Sequence, residues 1–331
     1  MREILDVEVF TGLLEIDPNK GYPFVTCTEM AFLSVMKYYN KNILAIMVKM
    51  NFLYEFYTNN EYVVFLSINP DFYTDSAFFN EIGITKKVHS IIEDKSLECI
   101  KKCIENKHPV QFRIDLYYQK DRDFFYKTQH ALHYLVGYGF DDEKQKIYMI
   151  DNLKGYDKYE INYKDYSILR GEAKNSDVWE FIESKKVDTY SEEFVNKMLG
   201  IYVNGIKNQQ KMREDALESI NLLIDQFGHS MGRPEFATNI NSVIYSKTSE
   251  LYRMIFLEKY HLYSEKGQEK IEGLLKKIIT FWKKIYLSIN YRKMSFYSND
   301  DYEKEIKYLE KIYIYEKELC ECLVAELVWA E

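Results

Sequence analysis

From about Tyr190 to its end, the chain repeats apolar residues every three or four positions and contains almost no proline. That spacing places apolar side chains on one face of a helix. It extends through Phe194–Ile206, Ala216–Phe227, Val243–Tyr260, Ile271–Ile289 and Tyr302–Trp329. Turn-forming residues separate these runs, and no repeat signature is shared among them. The sequence therefore predicts an all-helical C-terminal region over residues 187–331, arranged as a bundle or a lid.

Residues 1–186 have a mixed pattern instead. A helical run, Thr28–Tyr39, follows Pro23. Extended segments are predicted at Tyr62–Ile68, Val110–Leu116, His133–Gly139 and Ile147–Ile150. Short β-rich segments interleaved with helices are typical of an α+β domain. We therefore predict an α+β domain over residues 1–186.

Composition and charge narrow the class of protein. The 331 residues are 47% hydrophobic and 29% charged, values typical of a globular protein. The net charge of −8 argues against nucleic acid as a partner. We find neither a signal-peptide pattern nor an apolar stretch long enough to span a bilayer, so we expect no membrane association.

The five cysteines include two close pairs, Cys99/Cys103 and Cys320/Cys322. Neither pair has C-x-x-C spacing, and neither has companion ligands nearby in sequence. An odd number of cysteines in a long chain favours a reducing compartment over a disulfide framework. We therefore expect a cytoplasmic protein that binds neither a metal ion nor a cofactor.

Cys27 is the candidate nucleophile. The extended segment Tyr22–Thr26 runs into the predicted helix, which places Cys27 in its first turn. The N-terminal end of a helix stabilises a thiolate. The competing interpretation is a small apolar residue packed at a helix start.

His133 and Asp151 delimit a predicted hairpin, with a polar turn at Asp141–Glu143. A three-residue loop there places His133 directly opposite Asp151 on one face. A carboxylate can then orient the imidazole, which acts as the base for a thiol. An ordinary half-buried strand pair is the alternative. His130 is the rival imidazole, but it lies an odd number of residues from His133 and is expected to face elsewhere.

These stretches resemble a known family. The chain is similar to papain-superfamily enzymes of the bacteriocin-leader-peptidase type in the order of its motifs. These are a Cys at a helix start, His133 followed by an aromatic and apolar run to Gly139, a charged turn, and a strand ending at Asp151. Within that superfamily the chain is most similar to the butirosin-biosynthesis-protein-H-like acyltransferases. The resemblance covers about Pro23 to Asn152 and implies a papain-like fold with Cys27, His133 and Asp151 as catalytic triad.

The same resemblance implies an activity. Enzymes of this group transfer an acyl chain from a carrier-protein thioester, on a phosphopantetheine arm, through an acyl-cysteine to an amine. The expected reaction is amide formation with a small amine or diamine in closthioamide-type nonribosomal peptide biosynthesis, and the expected partner is an acyl or peptidyl carrier protein. The alternatives are a cysteine peptidase or amidase with the same triad, and a catalytically idle binding protein of this fold.

The sequence departs from the peptidase pattern at the oxyanion site. Leader peptidases place Gln six residues before the cysteine, where this chain has Gly21. Asn19, Thr26 and Thr28 are the candidate oxyanion donors, because a preorganised N–H or hydroxyl near the sulfur can serve. For carrier docking, the predicted basic patch is Lys276-Lys277 with Lys283-Lys284, although a solvated helix face explains the same pattern.

Overall fold

The computed structural model describes residues 1–10, 27–48, 54–59, 62–68, 76–91, 95–123, 125–152, 156–208, 210–230, 234–295 and 302–328. These residues form two compact units. The first unit contains the described parts of Met1–Gly12, Thr26–Ala45 and Thr74–Val195. The second contains those of Ile46–Tyr73 and Asn196–Glu331.

The first unit is built on a seven-stranded sheet. Its strands are β1 (Arg2–Ile4), β4 (Ile84–His89), β5 (Val110–Asp115), β6 (Leu132–Asp141), β7 (Lys146–Asn152), β8 (Tyr156–Asn162) and β9 (Val178–Glu183). The strand order is β4-β9-β5-β6-β7-β8, with β1 also paired to β6, and each of these pairings is antiparallel. Its helices are α1 (Cys27–Tyr38), α3 (Ser76–Glu81), α4 (Ser96–Glu105) and α5 (Tyr163–Arg170), whereas the short helix α2 (Leu44–Met47) has residues in both units.

Helices cover both faces of this sheet. Gln111 and Phe112 are consecutive in β5, so their side chains point to opposite faces. Gln111 Nε2 donates a hydrogen bond to the Thr28 carbonyl of α1 at 2.8 Å, whereas the Phe112 ring packs edge-on against Tyr166 of α5. The Tyr166 hydroxyl donates to Ser96 Oγ of α4, so α4 lies beside α5. The sheet therefore has α1 on one face and α4 with α5 on the other.

The core on the α1 face is aromatic. Phe32 of α1 lies 5.3 Å from Phe79 of α3 and 5.2 Å from Phe181 of β9, measured between ring centroids, and all three side chains are buried. Burial of such rings supplies a large share of a domain's stability. This packing fixes α1, and with it the position of Cys27, against the sheet.

The second unit combines a hairpin with long helices. The helices are α6 (Glu192–Asn208), α7 (Gln210–Ser230), α8 (Pro234–Leu257), α9 (Glu265–Ser295) and α10 (Glu303–Ala325). Strands β2 (Tyr54–Asn59) and β3 (Tyr62–Ile68) pair in antiparallel fashion, and α7 and α8 contact them. One isolated bridge, Tyr263 to Leu327, joins two segments of the C-terminal region.

The α+β prediction is confirmed, with an antiparallel sheet and a C-terminal helical region. The division at residues 186 and 187 stays a prediction. The compact units differ from it because the β2–β3 hairpin packs on α7 and α8. Among the described residues, no helix combines the length and apolarity that crossing a bilayer requires.

Candidate active site

The thiol of Cys27 lies at the first residue of α1, against one end of β6. The backbone N–H of Tyr134 in β6 donates to Cys27 Sγ at 3.4 Å, and the Thr28 hydroxyl also hydrogen-bonds to the sulfur. Gln111 holds the first turn of the helix through the Thr28 carbonyl. The helix terminus and these two donors all favour a negative charge on the sulfur.

His133 and Asp151 are in direct contact. The distance between His133 Nε2 and Asp151 Oδ1 is 2.6 Å, and the Asp151 side chain is fully buried. Their positions relative to each other differ from the prediction. The last paired residues at the turn are Asp141 and Lys146, so the loop has four residues and is not the three-residue loop Asp141–Glu143.

A β-bulge corrects the effect of that longer loop. Near the turn, Gly139 pairs with Tyr148, and this register alone places His133 and Asp151 on opposite faces. The register shifts by one residue between Gly137 and Gly139, after which Val136 pairs with Ile150. Continued by one residue, this register puts Asp151 opposite Leu135, two positions from His133 on the same face. The contact is therefore diagonal and not directly cross-strand.

The contact with Asp151 identifies which nitrogen of His133 carries a proton. At 2.6 Å from a carboxylate oxygen, Nε2 is the protonated, donating nitrogen. Arg122 Nη2 lies 3.0 Å from the same nitrogen and donates to Asp151 Oδ1 at 2.8 Å. Since Nε2 is engaged by Asp151, Nδ1 is the nitrogen that can exchange a proton with the thiol.

Asp151 is held by more groups than the histidine alone. Gln119 Nε2 donates to Asp151 Oδ2 at 2.9 Å, and Gln119 Oε1 accepts from Arg122 Nε at 2.7 Å. Burial raises the pKa of Asp151, but the hydrogen bond and charge of His133, with Arg122 and Gln119, lower it further than burial raises it. The carboxylate is therefore ionised and fixed in position.

The thiol and the imidazole shift each other's pKa in opposite directions. Burial raises the pKa of Cys27, but the hydrogen bond and charge of His133 outweigh it and leave that pKa below its usual value. Burial lowers the pKa of His133, whereas hydrogen bonds to Asp151 and Cys27 raise it to about 9. These shifts favour a thiolate–imidazolium pair, which is the reactive form of a cysteine nucleophile.

His130 occupies a different environment. Its Nδ1 lies 2.7 Å from Asp115 Oδ2, and its ring stacks on Tyr117 at 4.2 Å between centroids. Asp115 also accepts hydrogen bonds from the backbone N–H groups of Tyr117 and Glu172. This carboxylate therefore secures a turn, and the His130 side chain is half exposed.

The predicted oxyanion and docking residues have mixed outcomes. Asn19 and Thr26 lie outside the described residues. Thr28 is described, and its hydroxyl hydrogen-bonds to the Cys27 sulfur. The four lysines of the predicted patch, Lys276, Lys277, Lys283 and Lys284, are exposed on α9. Lys276 pairs with Glu272 one turn away at 3.1 Å, as on a solvated helix face.

Sequence reasoning missed Gln119 and Arg122. Both lie in the connection between β5 and β6, where no hydrophobic period marks a position. The only available signal was a polar, charged segment between two apolar strands, and such segments are usually plain loops. Their role depends on how the loop returns toward β7, which sequence spacing does not encode.

No protein family and no curated protein matches this chain. The site defined above is a cysteine, histidine and aspartate constellation with an additional arginine and glutamine on the carboxylate.

Proposed function

We propose that the first unit is a papain-like catalytic domain and that the chain is a cysteine-dependent acyltransferase that forms amides. The supporting observation is the continuous set of contacts from Asp151 through His133 to Cys27, in which the carboxylate orients the imidazole and the imidazole hydrogen-bonds to the sulfur. A buried carboxylate, an imidazole with one free nitrogen and a thiol at a helix start are the parts that acyl transfer requires.

The first half-reaction transfers the acyl group to the enzyme. The Cys27 thiolate attacks the thioester carbonyl of an acyl chain on the phosphopantetheine arm of a carrier protein. The tetrahedral intermediate collapses with cleavage of the original carbon–sulfur bond. The departing pantetheine sulfur takes the proton from His133 Nδ1, which leaves acyl-Cys27 and a neutral imidazole.

The second half-reaction forms the amide. A neutral amine attacks the acyl-Cys27 carbonyl and gives one proton to His133. The carbon–sulfur bond breaks, and the thiolate–imidazolium pair is restored. Asp151, fixed by Arg122 and Gln119, keeps the imidazole in one orientation through both steps.

Aminolysis competes with hydrolysis of the same intermediate. The amine prevails if it is bound near the acyl carbon and water is excluded. We propose that the helical C-terminal region acts as a lid in this role, and that the exposed lysines of α9 attract an acidic carrier protein. We also propose a cytoplasmic location, where carrier proteins and reduced thiols coexist.

The competing functions are a peptidase or amidase and an idle binding protein. A peptidase uses the same triad with water as acceptor. An idle protein leaves Cys27 unacylated. The triad contacts favour an enzyme over an idle protein, and the departure at Gly21 from the peptidase pattern favours the transferase.

Product analysis separates these candidates. The purified chain is mixed with a carrier protein loaded with a hydroxybenzoyl or β-alanyl thioester, with and without 1,3-diaminopropane, and products are identified by mass. We expect amide only when the diamine is present, and none from Cys27→Ala. Cys320→Ala is the matched control and should keep full activity. Free acid with no amide, together with cleavage of unmodified peptides, would favour the peptidase.

A further inference from the structure

A second cluster of reactive side chains lies on the α4 face of the sheet. Cys99 and Cys103 are one helical turn apart on α4, and His89 is the last residue of β4. The ligand atoms of these three side chains all lie within 4.8 Å of one another. Sequence spacing predicted no metal site here, because the companion histidine is ten residues before Cys99 and on another element.

A buried carboxylate lies beside the cluster. Glu180 of β9 is buried, and its Oε2 lies 2.7 Å from His89 Nε2. Its other oxygen, Oε1, lies 2.6 Å from His108 Nδ1. The His89 Nε2 atom is also 3.9 Å from Cys103 Sγ. The two sulfurs and the imidazole therefore form one group, and the Glu180 carboxylate contacts the imidazole nitrogen of that group.

The donor set selects a class of ion. Two cysteine sulfurs with an imidazole and a carboxylate suit four-coordinate Zn²⁺, whereas Mg²⁺ and Ca²⁺ prefer oxygen ligands only. Two thiolates and one carboxylate around a divalent ion leave a single negative charge. The Lys87 ammonium, 3.8 Å from Glu180 Oε2, offsets that charge.

The surroundings also suit a metal site. A cleft of about 680 Å³ opens onto the cluster and is lined by His89, Cys99, Cys103 and Glu180 among others, so an ion has an entry path. His108 orients the carboxylate from behind, as outer partners of metal ligands commonly do. A closed set of four protein ligands is typical of structural zinc and not of hydrolytic zinc.

We propose that His89, Cys99, Cys103 and Glu180 form a structural Zn²⁺ site that ties α4 to strands β4 and β9. The site is separate from the Cys27 thiol and does not depend on the acyltransferase proposal. Binding the ion stabilises the first unit, since an ion that binds only the folded chain shifts the folding equilibrium toward it.

The test uses Co²⁺ as a spectroscopic probe of the full chain. Cys27→Ala serves as the parent, because it removes the other site that combines sulfur, imidazole and carboxylate. The protein is stripped with chelator under reductant and titrated with Co²⁺. We expect one equivalent to bind, with a thiolate-to-cobalt charge-transfer band and the intense visible bands of tetrahedral Co²⁺. Zn²⁺ should abolish these bands and raise the melting temperature.

Matched variants locate the site. Cys103→Ala should lose the charge-transfer band, Cys320→Ala should keep it, and His108→Phe should weaken Co²⁺ binding by roughly tenfold to a hundredfold. Circular dichroism checks each fold, and half-buried Cys99→Ala replaces Cys103→Ala if the latter unfolds. Absence of the bands in the reduced parent, or their persistence in the cysteine variant, would overturn the proposal.

Discussion

His133 and Arg122 share one oxygen of a single carboxylate. His133 Nε2 lies 2.6 Å from Asp151 Oδ1, and Arg122 Nη2 donates to that same atom at 2.8 Å. The arginine thus places a fixed positive charge beside the imidazole. Asp151 raises the pKa of His133, and a neighbouring cation opposes that effect. The reactivity of Cys27 therefore depends on two opposing effects on the pKa of His133, one from Asp151 and one from Arg122. A substitution at each of these residues tests its effect separately.

The substitution Asp151→Asn removes the charge that stabilises the imidazolium. The pKa of His133 then falls from about 9, the thiolate loses its cationic partner, and the pKa of Cys27 rises. Since only the thiolate is alkylated, we expect Cys27 of the Asp151→Asn variant to react with iodoacetamide at least about tenfold more slowly than Cys27 of the wild type at pH 7. As the pH increases through the raised pKa of Cys27, the alkylation rate of the variant should approach that of the wild type. Peptide mapping measures the alkylation of Cys27 at each pH.

Asp157→Asn is the matched control for that experiment. Asp157 lies opposite Asp151 in the neighbouring strand β8, and it is exposed. Its substitution should leave the Cys27 profile unchanged. An equal loss of reactivity in both variants would show that the effect is not specific to the carboxylate bound to His133.

Arg122→Gln should raise the pKa of His133, whereas Asp151→Asn should lower it. Loss of the guanidinium removes a positive charge 3.0 Å from Nε2, so the imidazolium becomes more stable and the pKa of His133 increases. The measurement is a pH titration of ¹⁵N-histidine NMR signals, with His133 assigned by His133→Gln. Lys120→Gln, an exposed substitution in the same connection, should leave that titration in place. A decrease in the pKa of His133 would contradict the assigned role of Arg122.

Gly139 is required by the close approach of β1 at the bulged strand. A Cβ on Gly139 meets the Glu3 carbonyl oxygen at 3.1 Å and the Ile4 Cα at 3.2 Å, both of which belong to a backbone. Gly139→Ala should therefore lower the stability of the first unit by about 1–3 kcal/mol and increase amide exchange in β1. Gly205→Ala in α6, where a Cβ meets nothing within 4 Å, should instead stabilise by about 0.5–1 kcal/mol. Equal changes in stability from the two substitutions would contradict the claim that the close approach of β1 requires glycine at position 139.

Lys247 forms buried ion pairs inside the helical unit. Its buried ammonium lies 3.0 Å from Glu250 Oε2 and 2.9 Å from Glu316 Oε1. Lys247→Ala leaves two buried carboxylates without this cation, so it should cost about 3–5 kcal/mol, measured by amide exchange in α8 under increasing urea. Lys307→Ala removes an exposed pair with Glu303 and should cost less than about 1 kcal/mol. A cost for Lys247→Ala as small as that of Lys307→Ala would contradict the role of the buried pair.

Local patterns predicted elements better than they predicted contacts. The expected strand Tyr62–Ile68 matches β3, and the expected helix Thr28–Tyr39 differs from α1 by one residue at each end. Periodicity reports such elements because side-chain burial follows backbone geometry. It did not reveal that β3 packs with helices much later in the chain, since that packing is a tertiary property.

The candidate site shows the same limit. His133 and Asp151 were predicted to share a face, and they do, but through a four-residue loop offset by a bulge. One extra loop residue and one bulged residue each reverse the side-chain direction, so their effects cancel. The two side chains therefore share a face although the predicted register was wrong. Arg122 and Gln119 lie in an irregular connection, and His89 lies on a different element from Cys99. Such long-range contacts leave no local pattern.

The most direct test of the account is the covalent state of Cys27 during turnover. The chain is mixed with acyl-loaded carrier protein, quenched within seconds in acid, and examined by intact mass and peptide mapping. We expect one acyl group on the peptide containing Cys27, its disappearance on addition of the diamine, and no acyl group on Cys27→Ala. Acylation absent from the wild type, or equal on the Cys27→Ala variant, would contradict the claim that Cys27 carries the acyl chain.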